Sequence, residues 1–476
     1  MSQPGQIGVD SWVAEVEERR EAGPLRRAFE RVPRSARFGV FLVAASLVPV
    51  FSSNDYVIRV GVDTLIYALL ALGLNVVVGF AGLLDLGYVA FYGFGAYSFA
   101  LLSSDKFGVH WPAEASLPVI VLATACVGLL LGLPSRRLLG DYLAIVTLFF
   151  RQAFVTFTTN GNRLTLLGHS RGVDLTSGPN GISGLDPLNF FGRHVNSLQG
   201  YFYVSLITLA FVMVVLHLAV ESRTGRAWKA LREDPLAAEV MSIPVNRLKL
   251  LAFAFGAGVA GLTGTISAAV DGAVFPDNYD IPLLITVYAM VILGGAGSLS
   301  GVILGAITIN VSLEVLRDAN QARWLFYSVI LITLVAKMRP WPKLVAVIVS
   351  LVGFGYAFHA IVAALWPAGT KGRAAGGDEI GRAVQGWVIR PEHHALLIGN
   401  YAFVGLIAAV LVLTLLRGLW RTVFLVPTLY LAALVWENRL VFEPSVTRLI
   451  LLGALLIVLM NARPQGLLGT ARVEIG

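Results

Sequence analysis

The chain has 476 residues, of which 56% are hydrophobic and only 14% charged, with a formal net charge of +7. Apolar runs of near-spanning length recur along it, which excludes a soluble globular protein and defines a polytopic, all-α membrane protein. The lone Cys126 lies in an apolar run, which excludes disulfides and thiol–metal sites. The basic surplus suits the cytoplasmic loops of an inner-membrane protein and needs no nucleic acid to explain it.

Residues 1–36 are rich in Arg and Glu and lack an apolar core segment, so they do not read as a cleaved signal peptide. Their stretch DSWVAEVEERREAGPLRRAFERV is expected to form an amphipathic helix on the cytoplasmic surface. About fourteen apolar segments follow. The first eight are Phe38–Ser52, Val57–Val78, Phe80–Leu102, Leu117–Leu133, Tyr142–Thr158, Tyr201–Val220, Leu250–Val270 and Leu283–Leu293. The rest are Ser300–Leu316, Trp324–Lys337, Leu344–Leu365, Leu396–Leu416, Arg421–Trp436 and Thr447–Met460. Several are shorter than the roughly 20 residues of a perpendicular span, which predicts tilted or re-entrant pieces.

The most informative apolar region is LIYALLALGLNVVVGFAGLLDLGYVAFYGFGAYSFALL, residues 65–102. Its glycines, Gly79, Gly82 and Gly87 among them, are denser than a lipid-facing helix needs. Two readings stand: close helix packing, or an unwound stretch lining a polar path with Asn75 and Asp85 as its polar groups. Asp85 is the sharpest residue, because a carboxylate at membrane depth must be paired, hydrated or protonated. It could equally sit wet at a cavity mouth. Arg59 and Asp63 stand one helical step apart and are expected to pair near an interface, and Arg151 is expected to face protein or water. A second Gly-dense break, VILGGAGSLSGVILGA at 291–306, holds Gly294 and Gly295 and carries the same two readings. Between them, SGPNGISG, with Asn180, reads as a tight loop in the polar stretch 160–200.

Residues 221–249, ESRTGRAWKALREDPLAAEVMSIPVNRLK, form a charge-dense island between two apolar runs. Alternating charges at helical spacing predict a solvated helix, Pro235 a break before a second short helix, and Pro244 the end of the segment. The island is either a loop held inside by its positive charge or a docking surface for a cytoplasmic partner.

Orientation follows the basic residues. With a cytoplasmic N-terminus, and with Phe80–Leu102 not fully crossing, the turns holding Arg136, Arg137 and the island fall inside. The acidic turn of Asp271, Asp277 and Asp280 then falls outside. Towards the end, WLFYSVILITLVAKMRPWPKL and RLILLGALLIVLMNARPQGLL are two similar apolar helices closed by Arg-Pro. Four candidate spans, the final helix included, separate the two Arg-Pro turns, an even number that returns both turns to one side. The divisions are an arm at 1–36, a core at 37–343, added helices at 344–445, and a final helix and cytoplasmic tail at 446–476. No phosphate-binding loop, metal spacing, nucleophile elbow or dinucleotide fingerprint is present, which argues against an enzyme and names no cofactor.

The blocks ALGLNVVVGFAGLLDLGYVAFYGFGAY, GDYLAIVTL, TSGPNGI, GRAWKALREDPLAAEVMSIPVNRLKLLAFAFGAGVAGLTG, ILGGAGSLSGVILGA and ARPQGLLG, in that order, resemble the permease subunits of ABC importers for branched-chain amino acids. The resemblance implies an ATP-driven importer whose permease works with cytoplasmic ATP-binding subunits, a second related permease, an extracytoplasmic solute-binding protein and membrane lipid. It makes the island a coupling loop, with Arg226, Ala230, Arg232, Glu233, Asp234, Ala237 and Ala238 on its pattern. Asn75, Gly79, Gly82, Asp85, Gly87, Asn180, Gly294 and Gly295 become candidates for the translocation path. Leu236 and Ser242 depart from the loop pattern, which has Glu and Gly there, and Asp85 resembles the M-type branch. The alternative is an ion-coupled secondary transporter that uses Asp85.

Overall fold

The computed structural model describes residues 34–52, 54–135, 141–162, 174–338, 341–372, 383–442, 453 and 466–468. The expected N-terminal surface helix, the Arg136–Arg137 turn, both Arg-Pro turns and nearly all of Thr447–Met460 lie outside them. The chain divides into two compact units, Met1–Asn310 with Val458–Gly476, and Val311–Ile457. Among the described residues, eight helices are long and apolar enough to cross a membrane.

In the first unit the apolar runs become α1 (Arg34–Phe51), α2 (Asp55–Leu74), α3 (Tyr88–Leu102), α4 (Ala113–Ser135), α5 (Asp141–Asn160) and α6 (Leu198–Glu221). The polar island forms α7 (Arg223–Glu233) and α8 (Pro235–Val240). Then come α9 (Val245–Asp271), α10 (Ile281–Gly294) and α11 (Leu299–Val315). The hub is α9, which packs along α2, α3 and α4. Small residues allow this closeness: Gly95 of α3 lies against the Gly261 backbone, and Gly264 against the Tyr92 carbonyl. Asn310 of α11 donates to the Thr64 hydroxyl of α2 at 2.8 Å, tying those helices inside the apolar core.

At one end of this unit the loops knit into two-residue antiparallel ladders. Ser103–Ser104 pairs with Val109–His110, Ile182–Ser183 with Ala273–Val274, and Asn189–Phe190 with Arg193–His194. The acidic turn lies at this end. Arg59 pairs with Asp63, as its spacing predicts, and also with Asp271. Arg151 is buried and reaches Asp280 at 2.8 Å. His110 pairs with Asp186, whose carboxylate holds the imidazole above its ordinary value of 6.5.

The opposite end carries α7 and α8. Residues 80–102 start there, with Gly82 against Arg232, and finish in the ladder at Ser103. The expectation that this stretch does not fully cross is therefore corrected. Although α3 has only 15 residues, the non-helical segment 82–87 ahead of it makes up the length. Counting that segment makes six before the island, an even number that returns it to the side on which α1 starts, whereas five would leave it opposite; the acidic turn lies at the other end of α9.

The second unit contains α12 (Ala319–Lys337), α13 (Trp341–Leu365), α14 (Ala395–Leu415) and α15 (Leu419–Phe442). Packing thus groups α12 with the added helices, although the sequence boundary stands near 343. Arg323 of α12 and Glu437 of α15 form a buried fork, Nε to Oε1 at 2.9 Å and Nη2 to Oε2 at 3.0 Å. Tyr430 sits edge-on to Phe354, Phe358 and Trp387, and Phe326 stacks on Trp436.

Candidate functional site

The island folds as its prolines and charges predict. Ser222 caps α7, its hydroxyl accepting from the Thr224 and Gly225 amides. Asp234 breaks the helix in extended conformation and caps α8, its carboxylate accepting from Leu236 and Ala237 with Pro235 in the first turn. Trp228 is fully buried and donates to the Leu248 carbonyl at 3.0 Å, which fixes α7 to the start of α9. Leu231 and Ala238 are buried with it. Arg226, Glu233, Asp234 and Ala237 face outward and Ala230 is half-buried. Beside them Leu236, Val240 and Met241 are 70%, 84% and 76% exposed, an apolar ridge on an otherwise polar surface. Val240 and Met241 were not among the sequence candidates; three apolar side chains with no buried face to fill were the available signal.

Arg232 points the other way. Its guanidinium donates to the carbonyls of Gly79, at 2.5 Å, and Ala296, at 3.4 Å. Those carbonyls belong to the two Gly-rich breaks. The first break is a π-helical turn, Asn75–Phe80, that continues α2 and then unwinds through Gly82 at φ +69°. The second is the turn 295–298 between α10 and α11. Asn75 bridges them, its Oδ1 accepting from the Gly297 amide at 2.8 Å. This side chain passes over Gly79, where any Cβ would overlap Asn75 Oδ1 and lie 2.5 Å from the Gly297 nitrogen. Asn75, Gly79, Gly82, Gly297 and Arg232 thus form one knot.

Asp85 and Gly87 lie just beyond it. Asp85 is fully buried, with Oδ1 accepting from the Gly87 amide at 2.8 Å while Oδ2 has no protein partner. The Tyr288 hydroxyl donates to the Asp85 carbonyl at 2.7 Å, and the Thr147 hydroxyl accepts from the Leu86 amide at 2.9 Å. Tyr288 and Thr147 also escaped the sequence candidates, although Thr147 stands in the block GDYLAIVTL. Gly294 packs against the Gly301 backbone. Gly295 sits beside Gly466 of the ARPQGLLG tail, whose Leu467 and Leu468 amides cap the Leu293 and Gly294 carbonyls at the end of α10. Asn180 stands apart, exposed in a 3₁₀ turn that leads into the ladder with Ala273–Val274.

Spans interrupted at two glycine-rich points, joined by one asparagine and gripped by a polar helix pair at one end, define a polytopic α-helical membrane transport subunit. The chain belongs to the family of branched-chain amino acid transport system permease components, whose profile matches residues 56–338. It is 40% identical over 310 residues to the high-affinity branched-chain amino acid transport system permease protein LivM of Escherichia coli K12, covering 59% of this chain and 69% of the relative. To LivM of Salmonella typhimurium it is 39% identical over 308 residues, with the same coverage. To LivH of Escherichia coli K12 it is 26% identical over 258 residues, covering 52% and 80%. The closer match to LivM assigns it to the M-type branch. No solved structure matches the chain significantly.

Proposed function

We propose that this chain is one permease of an ATP-driven importer of branched-chain amino acids or related small solutes. Residues 37–343 and the tail 446–476 carry that role, and 344–445 are additional helices. A second, related permease completes the path, an extracytoplasmic solute-binding protein delivers the solute, and separate cytoplasmic subunits hydrolyse ATP. The chain lies in the lipid of a bacterial inner membrane with both termini in the cytoplasm.

The observation that carries this reading is the two-faced island. Its inner face is locked to the bundle through Trp228 and Arg232, while its outer face presents Leu236, Val240 and Met241. A short apolar ridge, flanked along the chain by the exposed Glu233, Asp234 and Glu239, suits the groove of a separate subunit. Asn75, Gly79, Gly82, Asp85, Gly87, Gly294 and Gly295 are candidates for the path, and Asn180 for its extracytoplasmic mouth.

The test is uptake of labelled leucine into vesicles that contain both permeases, the ATPase subunits and the binding protein. Uptake should require ATP and collapse in Leu236→Asp/Val240→Asp, with the altered chain still recovered with its partner permease. Uptake driven by a proton gradient without ATP, and lost in Asp85→Asn, would overturn the proposal.

A further inference from the structure

Arg232 sits on the island, yet its side chain does not serve the outward face. From the last turn of α7 its guanidinium reaches one carbonyl in each helix break, Gly79 in the first and Ala296 in the second. Its stem and head run against two glycines in the left-handed region. A Cβ on Gly82, at φ +69°, would lie 2.9 Å from Arg232 Cγ, and one on Gly297, at φ +88°, 2.6 Å from Nη1. The backbone of both breaks is thus shaped to the arginine. Asn75 joins the breaks independently through Gly297, so they are held as one body. At the other side of α7, Trp228 is fixed to α9.

We infer that Arg232 is a positioning residue for energy coupling: the clamp by which the island moves both helix breaks together. The inference rests on the reading of α7 and α8 as the ATPase dock and deepens it. A displacement of α8 enters α7 through Asp234, and Arg232 passes it to Gly79 and Ala296. Both charge-assisted bonds leave one nitrogen, Nη1, whose two N–H groups are held in the guanidinium plane, which suits that task. A lysine carries the charge, but its rotatable ammonium on a shorter, flexible stem lacks the planar orientation that aims two N–H groups at set carbonyls. Arg232 turns into the bundle and away from the outward face of the island, so its loss should separate docking from transport.

The experiment uses the full complex in vesicles and compares Arg232→Met, Arg232→Lys and the docking-ridge variant Leu236→Asp. Three readouts are taken: recovery of ATPase subunits with the permeases, solute-stimulated ATP hydrolysis, and solute transported per ATP. Arg232→Met should hold its ATPase subunits as the unaltered chain does, while transport per ATP falls by roughly tenfold. Arg232→Lys should fall between the two, and Leu236→Asp should lose the ATPase subunits. Loss of ATPase recovery in Arg232→Met would place the residue in the dock, and unchanged transport per ATP would show the bonds idle; either overturns the clamp. Failure of the unaltered chain to recover ATPase subunits overturns the underlying reading, and the clamp with it. Should the arginine variants not fold, hydrogen exchange in the unaltered complex decides. Exchange at 79–84 and 295–298 should shift together when the ATPase subunits dock, and no shift would sink the proposal.

Discussion

Asn75 and Gly79 depend on each other. The asparagine bridges the two breaks only because the glycine leaves room for its side chain. Asn75→Ala removes the acceptor of the partly buried Gly297 amide and should cost about 1 kcal/mol of stability. Gly79→Ala forces the same bridge open by overlap, for a cost of about 1–3 kcal/mol. Because both changes break one bridge, their double mutant should cost less than the sum, which thermal unfolding of the purified protein measures; full additivity would show that they act separately. Ser242 offers the opposite case. It is exposed, stands where the family's loop pattern has Gly, and is held at φ +63°. Ser242→Gly should therefore raise stability by about 1 kcal/mol, since a side chain in that region carries a cost of this order. A lower melting temperature in that variant would contradict this account.

At the scale of elements, α8 has only six residues and owes its form to its cap. An isolated helix of that length does not hold itself. Asp234→Ala removes the acceptor of the Leu236 and Ala237 amides, which should cost about 1 kcal/mol locally and weaken recovery of the ATPase subunits. Asp234→Ser should restore most of it, whereas loss of charge alone as the cause would leave Ser as poor as Ala. The ladder end carries a pH-dependent tie between the α3–α4 turn and the loop after α5. His110 meets Asp186, and Asp105 at 3.6 Å, and its imidazole is held above 6.5, first by the Asp186 hydrogen bond. A raised folded value means that the contribution is complete below pH 6.5 and fades as pH rises through that higher value. Stability should therefore decline slightly across that window in the unaltered chain. In Asp186→Asn the decline should flatten, and a decline of equal size there would assign it to another group.

For the molecule as a whole, what was legible in the sequence was what neighbouring residues determine. Pro235 and Asp234 announce the break between α7 and α8 because a cap and a proline act within a turn of themselves. The apolar runs announce their spans for the same reason. Arg232 read as one of the coupling-loop residues, and its inward bonds were not legible, because its acceptors lie 153 and 64 residues away and are main-chain carbonyls without a side-chain signature. The crossing of residues 80–102 was missed because its dense glycines and the placing of basic turns were read as a stretch that does not cross, whereas the non-helical segment 82–87 carries the chain on into α3. The added helices show the same limit. Three of their apolar runs were legible as helices, but not their anchorage, since Arg323 and Glu437 stand 114 residues apart. That fork joins a helix within the family's matched region to one outside it, with both side chains out of solvent. Glu437→Gln takes the carboxylate of the fork away from a buried guanidinium and should destabilise the second unit by about 3–5 kcal/mol. Arg323→Met with Glu437→Leu removes both charges and should recover most of that loss, since a well-packed apolar pair often equals a buried ion pair. The readout is heat-induced exposure of α12 and α15, followed by labelling single cysteines placed on each. If the double variant is as unstable as Glu437→Gln, the fork contributes through geometry that apolar packing does not replace. If Glu437→Gln is neutral, the added helices are held to α12 by the aromatic stack of Phe326 on Trp436, and the ion pair is incidental.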